Sequence, residues 1–387
     1  MSLDKAFFYI LFLIIPLYFL QGWLFDHGSF ISQSIAAIWL IIDFIYLIKC
    51  IRIGKIGIVG RYFLLFWILQ TITWIYTSFL LNSRFNIGLS ETYSLYKNIS
   101  IVFLSYFPFF FFVYKSIIDE KLIKVFAILS FLCLLGAYFI SYNEMVYTND
   151  TVDIANRGAY YLVVIIPLLG LFFNNIVEFA FYGGIAVLVL TGAKRGAILC
   201  VSIELLLFVY YYIKASLQRK SSLKFIWILI GVSVLFYVIA NIYEGNEFLQ
   251  ERYDQTLSGD SSLRDEIYSL AIYKYGEQGF VHKVFGNGMS STLGILGGYA
   301  HQDWLELLIN NGLLGVMVYA LVFMSLFFFY RKKKRVLSLM EKFMFLSALL
   351  GWLMRSMFSM GYVSIETSFF VIVFGLICAN KCKCFAK

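Results

Sequence analysis

Long apolar runs separated by short polar breaks set the pattern of this chain. The runs fall near 6–25, 30–48, 62–81, 98–114, 122–140, 159–173, 176–191, 196–213, 224–242, 313–330, 342–360 and 363–380. A bilayer core takes roughly 20 helical residues, so they predict about 12 spans. The sixth and seventh are short, which predicts tilt or partial re-entry of one of them, with Asn174 and Asn175 as the turn between them. One long polar region interrupts the series. The chain therefore divides into spans one to nine over 1–242, a loop with short helices over 243–312, and three more spans with a polar tail over 313–387. The expected fold class is an all-α polytopic membrane protein with one large helical extracytoplasmic loop.

The loop carries its own signals. Ser262-Leu-Arg-Asp265 matches a capping box and predicts a helix to about Gly276, with Arg264 in its first turn. The orphan N–H groups of that turn, together with a guanidinium, suit an anion. Phe285-Gly-Asn-Gly288 and the glycine-rich stretch to Gly298 predict a mobile flap. From His301 to Asn310 the pattern predicts a short amphipathic helix. His301, Trp304, Leu305 and Leu308 share one face, and Gln302 and Glu306 lie on another. Asn311-Gly312 is a helix-stop pair.

Composition then excludes a soluble domain. The chain has 387 residues, 61% hydrophobic and only 14% charged, more apolar surface than a soluble fold of this size could hide. The net charge of +8 does not imply nucleic acid. The basic residues cluster between spans, at Lys49/Arg52/Lys55/Arg61, Lys115/Lys121/Lys124, Lys214/Arg219/Lys220/Lys224, Arg331 to Arg335 and Lys381/Lys383/Lys387. All fall on one side of the span pattern. The positive-inside rule makes that side cytoplasmic, with both termini inside and the large loop outside. The first run lacks a small-residue cleavage site and reads as a span. None of the six cysteines lies in the large loop, so no disulfide framework is expected there.

Against that orientation Arg157, Lys194, Arg195, Arg264 and Arg355 stand on the outer side, where basic residues are under-used. Several cations converging on one face point to an anionic ligand. Inside the bundle, Asp43, Glu204 and Glu366 are expected in ion pairs, with Arg355 available to Glu366. Thr191-Gly-Ala-Lys-Arg-Gly196 is a turn whose glycines let backbone N–H groups approach a ligand. Each residue alone also fits a plainer role: Lys194 and Arg195 as a turn at lipid headgroups, Arg264 as a solvated helix residue, His301 as an interfacial hydrogen-bonding group. Together they describe a proton acceptor beside cations. An imidazole ordinarily titrates near ~6.5 and suits abstraction of a sugar hydroxyl proton, and Arg and Lys suit a diphosphate leaving group. No HExxH, DxD or DxDxDG motif is present, so neither metal nor other cofactor is expected. The outer face also lacks ATP, so a group-transfer donor must arrive activated.

Three segments carry a resemblance: TGAKRG at 191–196, SSLRDEIYSLAIYKYGEQGFVHKVFGNG at 261–288 and GYAHQDWLELLINNGLLG at 298–315. In that order, on either side of the large loop, they resemble the O-antigen polymerase/O-antigen ligase family of bacterial multi-spanning glycosyltransferases. The likeness covers roughly 185–330 by motif and the rest by span pattern. It implies a GT-C-type, metal-independent, inverting transferase in the inner membrane, acting at the periplasmic face on undecaprenyl-diphosphate-linked glycan. Carried over, Arg195 and Arg264 bind the diphosphate and His301 is the base on the acceptor hydroxyl. Lys194 stands where many members have Ser, and Gln302 where Asn is usual. Arg157, Arg355 and Gln302 are secondary candidates. The wording AHQDWLELL…NGLLG and the compact, aromatic-rich chain favour polymerase over ligase. A chain-length regulator protein is a further partner to consider. A lipid-linked oligosaccharide flippase is the rival of a different class, but such transporters show paired repeats that this sequence lacks.

Overall fold

Apolar residues fold here as helices, because backbone N–H and C=O groups in lipid must be satisfied within their own segment. The computed structural model is helical throughout its described residues, with no strand. It describes residues 2–383 except 26–27, 82–87, 148–157, 173–175, 193, 219–232 and most of 234–263. Among them, eight helices are long and apolar enough to cross a membrane: Leu3–Gly22, Phe30–Arg52, Gly57–Phe79, Leu89–Tyr114, Glu120–Tyr142, Arg195–Gln218, Asp303–Lys333 and Ile365–Cys382. The two short apolar runs form the shorter helices Ala159–Phe172 and Phe181–Thr191. The run at 342–360 forms Leu339–Phe358, which carries Glu341, Lys342 and Arg355 and is not among the eight. Most of the expected span at 224–242, and the Asn174-Asn175 turn, lie outside the described residues.

The helices are apolar outside and partly polar inside, the arrangement of a helical membrane protein. On Gly57–Phe79, Ile68, Ile72 and Ile75 form an exposed stripe at helical spacing, while Gln70, Thr73 and Thr77 are buried. In water that exposed stripe would be costly; against lipid chains it is neutral.

The chain forms two compact units. The first comprises Met1–Ile42, Phe112–Gly259 and Lys334–Gly351. In it, Leu3–Phe25 packs along Glu120–Tyr147, burying Phe8, Leu11, Ile15 and Phe19 at three- and four-residue spacing. Helix Ala159–Leu169 is buried on every side and packs against Glu120–Tyr147, Ile176–Thr191 and Arg195–Gln218. The Tyr138 hydroxyl donates to the Leu188 carbonyl at 2.5 Å, joining the Gly192 N–H and Thr191 hydroxyl that this carbonyl also accepts.

The second unit comprises Asp43–Phe111, Asp260–Lys333 and Trp352–Lys387. Its core is aromatic: Phe63 meets Phe103, Tyr106, Trp352 and Phe374 with ring centroids 5.3–6.4 Å apart, mostly edge to face, the arrangement that ring quadrupoles favour. Helix Gly57–Tyr76 packs between Leu89–Leu104 and the long helix Asp303–Lys333. The buried Arg355 guanidinium is ion-paired with Glu366, the pairing open to it on sequence grounds.

Candidate functional site

The loop sequence around Gly286 and the helix-stop around Gly312 fold as one interlocked element of the second unit. Gly312 has φ 65° and ψ −164°, so it breaks helix Asp303–Lys333 into two pieces. Only glycine fits here: a Cβ would lie 2.5 Å from the Val284 carbonyl. At Gly286, with φ 80°, a Cβ would lie closer still, 2.2 Å from the Asn310 carbonyl oxygen. The break frees helix carbonyls that must find donors. Asn287 N–H donates to the Ile309 carbonyl at 3.0 Å, and Gly288 N–H to the Asn310 carbonyl at 2.9 Å. Gly57–Phe79 grips the same place through threonines one turn apart. Thr73 Oγ1 accepts from Asn311 Nδ2 at 2.8 Å, and Thr77 Oγ1 from Met289 N–H at 2.7 Å. Thr77 opens a π-helical turn to Leu81, a local irregularity common beside functional sites. The glycine-rich segment is therefore no mobile flap at its start. Residues 286–292 are buried and hydrogen-bonded to the broken helix.

The next turn of that helix carries a buried carboxylate. Glu306 Oε2 accepts from Thr292 Oγ1 at 2.8 Å and from Asn310 Nδ2 at 3.4 Å. Oε1 accepts from Ala300 N–H at 2.5 Å, and the His301 backbone adds a further hydrogen bond to the carboxylate. Asn310 Oδ1 in turn accepts from Ser291 Oγ at 2.9 Å and Thr292 N–H at 3.2 Å. The result is a fully internal polar cage tying the 291–300 segment to the helix.

His301 stands at the edge of that cage. Its side chain is exposed, and its backbone is left-handed at φ 54°, a conformation uncommon for residues with a Cβ, although histidine, asparagine and aspartate adopt it more often than the rest. Helix Asp303–Lys333 starts two residues later, so His301 lies before the helix rather than on its first turn. The inferred amphipathic face is reversed as well: Asp303, Glu306, Asn310 and Asn311 are buried, while Trp304, Leu305 and Leu308 are only partly so. Gln302 Oε1 accepts from Leu305 N–H at 2.9 Å, which is the bond of an N-cap side chain to N3. Asp303 Oδ2 accepts from the Tyr319 hydroxyl at 2.6 Å and Tyr362 N–H at 3.2 Å.

On the other flank, Tyr299 donates its hydroxyl to Glu91 Oε1 at 2.9 Å, and its ring lies 6.4 Å from the His301 ring, tilted by 65°. Burial and the hydrogen bond to Glu91 push the Tyr299 phenol above its ordinary range, so it remains a donor at neutral pH. The backbone of His301 is thus held by bonds on both sides while the residue stays exposed. The strained φ is stored there at a cost of the order of 1–3 kcal/mol.

Arg264 is the first residue of helix Arg264–Glu277 in the same unit and is half-buried. That helix packs against Ser291–Leu296 and Asp303–Lys333. Ser262, the expected cap, lies outside the described residues, as does Arg157. Lys194 and Arg195 belong to the first unit. The Lys194 carbonyl accepts from Ala197 and Ile198 N–H at 2.9 and 3.0 Å, so Arg195 opens helix Arg195–Gln218 with its charge at an end that favours anions. Arg355 is buried and engaged with Glu366.

Sequence reasoning missed Glu306, Asp303 and Asn310 as internal groups. The signal was there: they recur at three- and four-residue spacing just before an apolar run, a polar stripe that in a membrane helix turns inward. Compared with known protein families and with curated proteins, the chain matches none.

Proposed function

We propose that this chain is a bacterial O-antigen-type polymerase, joining undecaprenyl-diphosphate-linked oligosaccharide repeat units at the periplasmic face of the inner membrane. The observation that carries the reading is the exposed His301 ring on a strained backbone fixed by Glu306 and Gln302. Such strain is retained where a side chain must be presented in one direction.

In the proposed reaction, His301 takes the proton from a hydroxyl of the acceptor sugar. That oxygen attacks the anomeric carbon of the donor from the face opposite the diphosphate, and the configuration inverts. The glycosidic C–O bond to the diphosphate breaks, and the leaving oxygen carries away the electron pair. Arg264, at a helix N-terminus, stabilises the charge that grows on the leaving group. Lys194 and Arg195 keep the diphosphate-binding role that the sequence resemblance implies, and each is testable by its own substitution. The activated donor supplies the driving force, so the step needs no nucleotide.

The lipopolysaccharide ladder of a deletion strain tests this reading. Core carrying a single repeat unit is the expected result, since ligation continues while polymerisation stops. Bare core would overturn it in favour of a ligase or a flippase, and an unchanged ladder would remove the chain from this process altogether.

A further inference from the structure

The short helix Phe280–Phe285 turns its apolar side chains outward. Phe280, Val281 and Phe285 are exposed by 80%, 63% and 60%, more than a water-facing surface tolerates in adjacent large groups. Its opposite side is pinned. Val284 lies against Gly312, and Gly286 against Asn310, while the Tyr275 hydroxyl donates to the Lys283 carbonyl at 3.1 Å. The helix is therefore locked at the height of the Gly312 break.

That height is where the apolar span begins. Leu313 and Met317, just past the break, are themselves exposed. At ~1.5 Å per residue the stretch Leu313–Lys333 is about 31 Å long, the thickness of a bilayer core. The exposed side chains of Phe280–Phe285 stand at the level where that exposed apolar surface begins, since Val284 lies against Gly312. Lys283 is half-exposed on the same short helix, and an ammonium on a flexible stem reaches lipid phosphates from such a position.

We propose that Phe280, Val281 and Phe285 form a bilayer anchor, inserting among the lipids at the level of Leu313 and fixing the loop against the membrane surface. The anchor stands independently of the transfer reaction, and its test uses no activity assay. The full-length protein carrying Val281→Cys is labelled with a nitrobenzoxadiazole dye and reconstituted in phosphatidylethanolamine/phosphatidylglycerol vesicles. The parent protein, treated alike, gives the background. Leu313→Cys is the lipid reference and Glu266→Cys the water reference, since Glu266 is exposed on the neighbouring helix.

The expected result is quenching of the Val281→Cys label by a lipid with its nitroxide near the glycerol, at least about half as strong as at Leu313→Cys, with protection from iodide. Phe285→Cys, on the same face, must behave alike. A label at Val281→Cys that iodide quenches as at Glu266→Cys overturns the proposal. So does shielding from both quenchers, which would mean a protein surface covers this face. So does lipid quenching that appears only when lipid-linked glycan is added, which would make the surface a substrate site.

Discussion

Glu306 and Glu366 are both acids held inside one unit, and they are held in opposite ways. Glu366 meets a full positive charge, the buried guanidinium of Arg355. Among the described residues, Glu306 meets neutral donors: Thr292, Asn310 and the backbone before the helix. A guanidinium–carboxylate pair concentrates its strength in one charge-assisted contact, and it staples Leu339–Phe358 to the segment that opens the last helix. Several short bonds from fixed neutral donors are weaker one by one, but they fix orientation. The chain thus uses an ion pair to join two helical segments, and a multidentate cage beside His301, the residue proposed as the base.

The largest expected effect separates chemistry from cohesion. His301→Ala should lower turnover by about 10²–10⁴, the usual contribution of a general base, which is about 3–5 kcal/mol of barrier. The exposed ring leaves no hole in the core, so Tm should not fall. Turnover at the parent level, at equal expression, would remove His301 as the base.

Arg355→Leu probes the ionic member of the pair. It strands Glu366 in a mostly buried place, and removal of one partner from such a pair costs about 3–5 kcal/mol. A double variant, Arg355→Leu with Glu366→Leu, should recover most of that loss, because the uncompensated charge is gone. Thermal unfolding in detergent checks both. Equal instability of single and double variants would show that packing around Arg355, not its charge, holds the region.

Glu306→Ala probes the cage. It leaves the Ala300 N–H and the Thr292 hydroxyl without an acceptor, each worth about 1–3 kcal/mol when buried and unmet. The sharper readout is kinetic: freeing the His301 backbone should lower kcat by up to about 100-fold, as small misplacements do. Glu306→Gln keeps one acceptor oxygen and should fall between. A lowered Tm with parent kcat would make the cage structural only.

Much of this contrast was legible in the sequence, and what was not has a physical cause. Runs of apolar residues announced helices, Gly312 announced a break, and Arg264 stood at the start of a helix that the structure contains. The Arg355–Glu366 pair was readable because a lone cation and a lone acid in apolar surroundings have few other places to go. The burial of Glu306 was not, because a helix after a polar loop was read by the rule for soluble helices, polar side outward. Nor was the packing of Gly286–Thr292: glycines signal backbone freedom, and the same freedom lets two backbones approach each other. The resemblance in three short motifs pointed to His301 as a candidate, whereas its left-handed backbone depends on bonds to residues up to five positions ahead.

The smallest predicted effect concerns Gln302, the residue that sets where the helix begins and hence where His301 ends up. Its side-chain oxygen accepts from Leu305 N–H, one of the donors a helix leaves unmet at its start. A shorter amide makes the same bond with less side-chain entropy to lose, and Asn is among the preferred N-caps. Gln302→Asn should therefore hold or slightly raise Tm. Gln302→Leu removes the acceptor and should cost about 1 kcal/mol. The two variants also divide the cap from the cage. If His301 is aimed by the cap, Gln302→Leu lowers kcat while Gln302→Asn does not. If Glu306 alone aims it, both keep the parent kcat, and the cap contributes stability only.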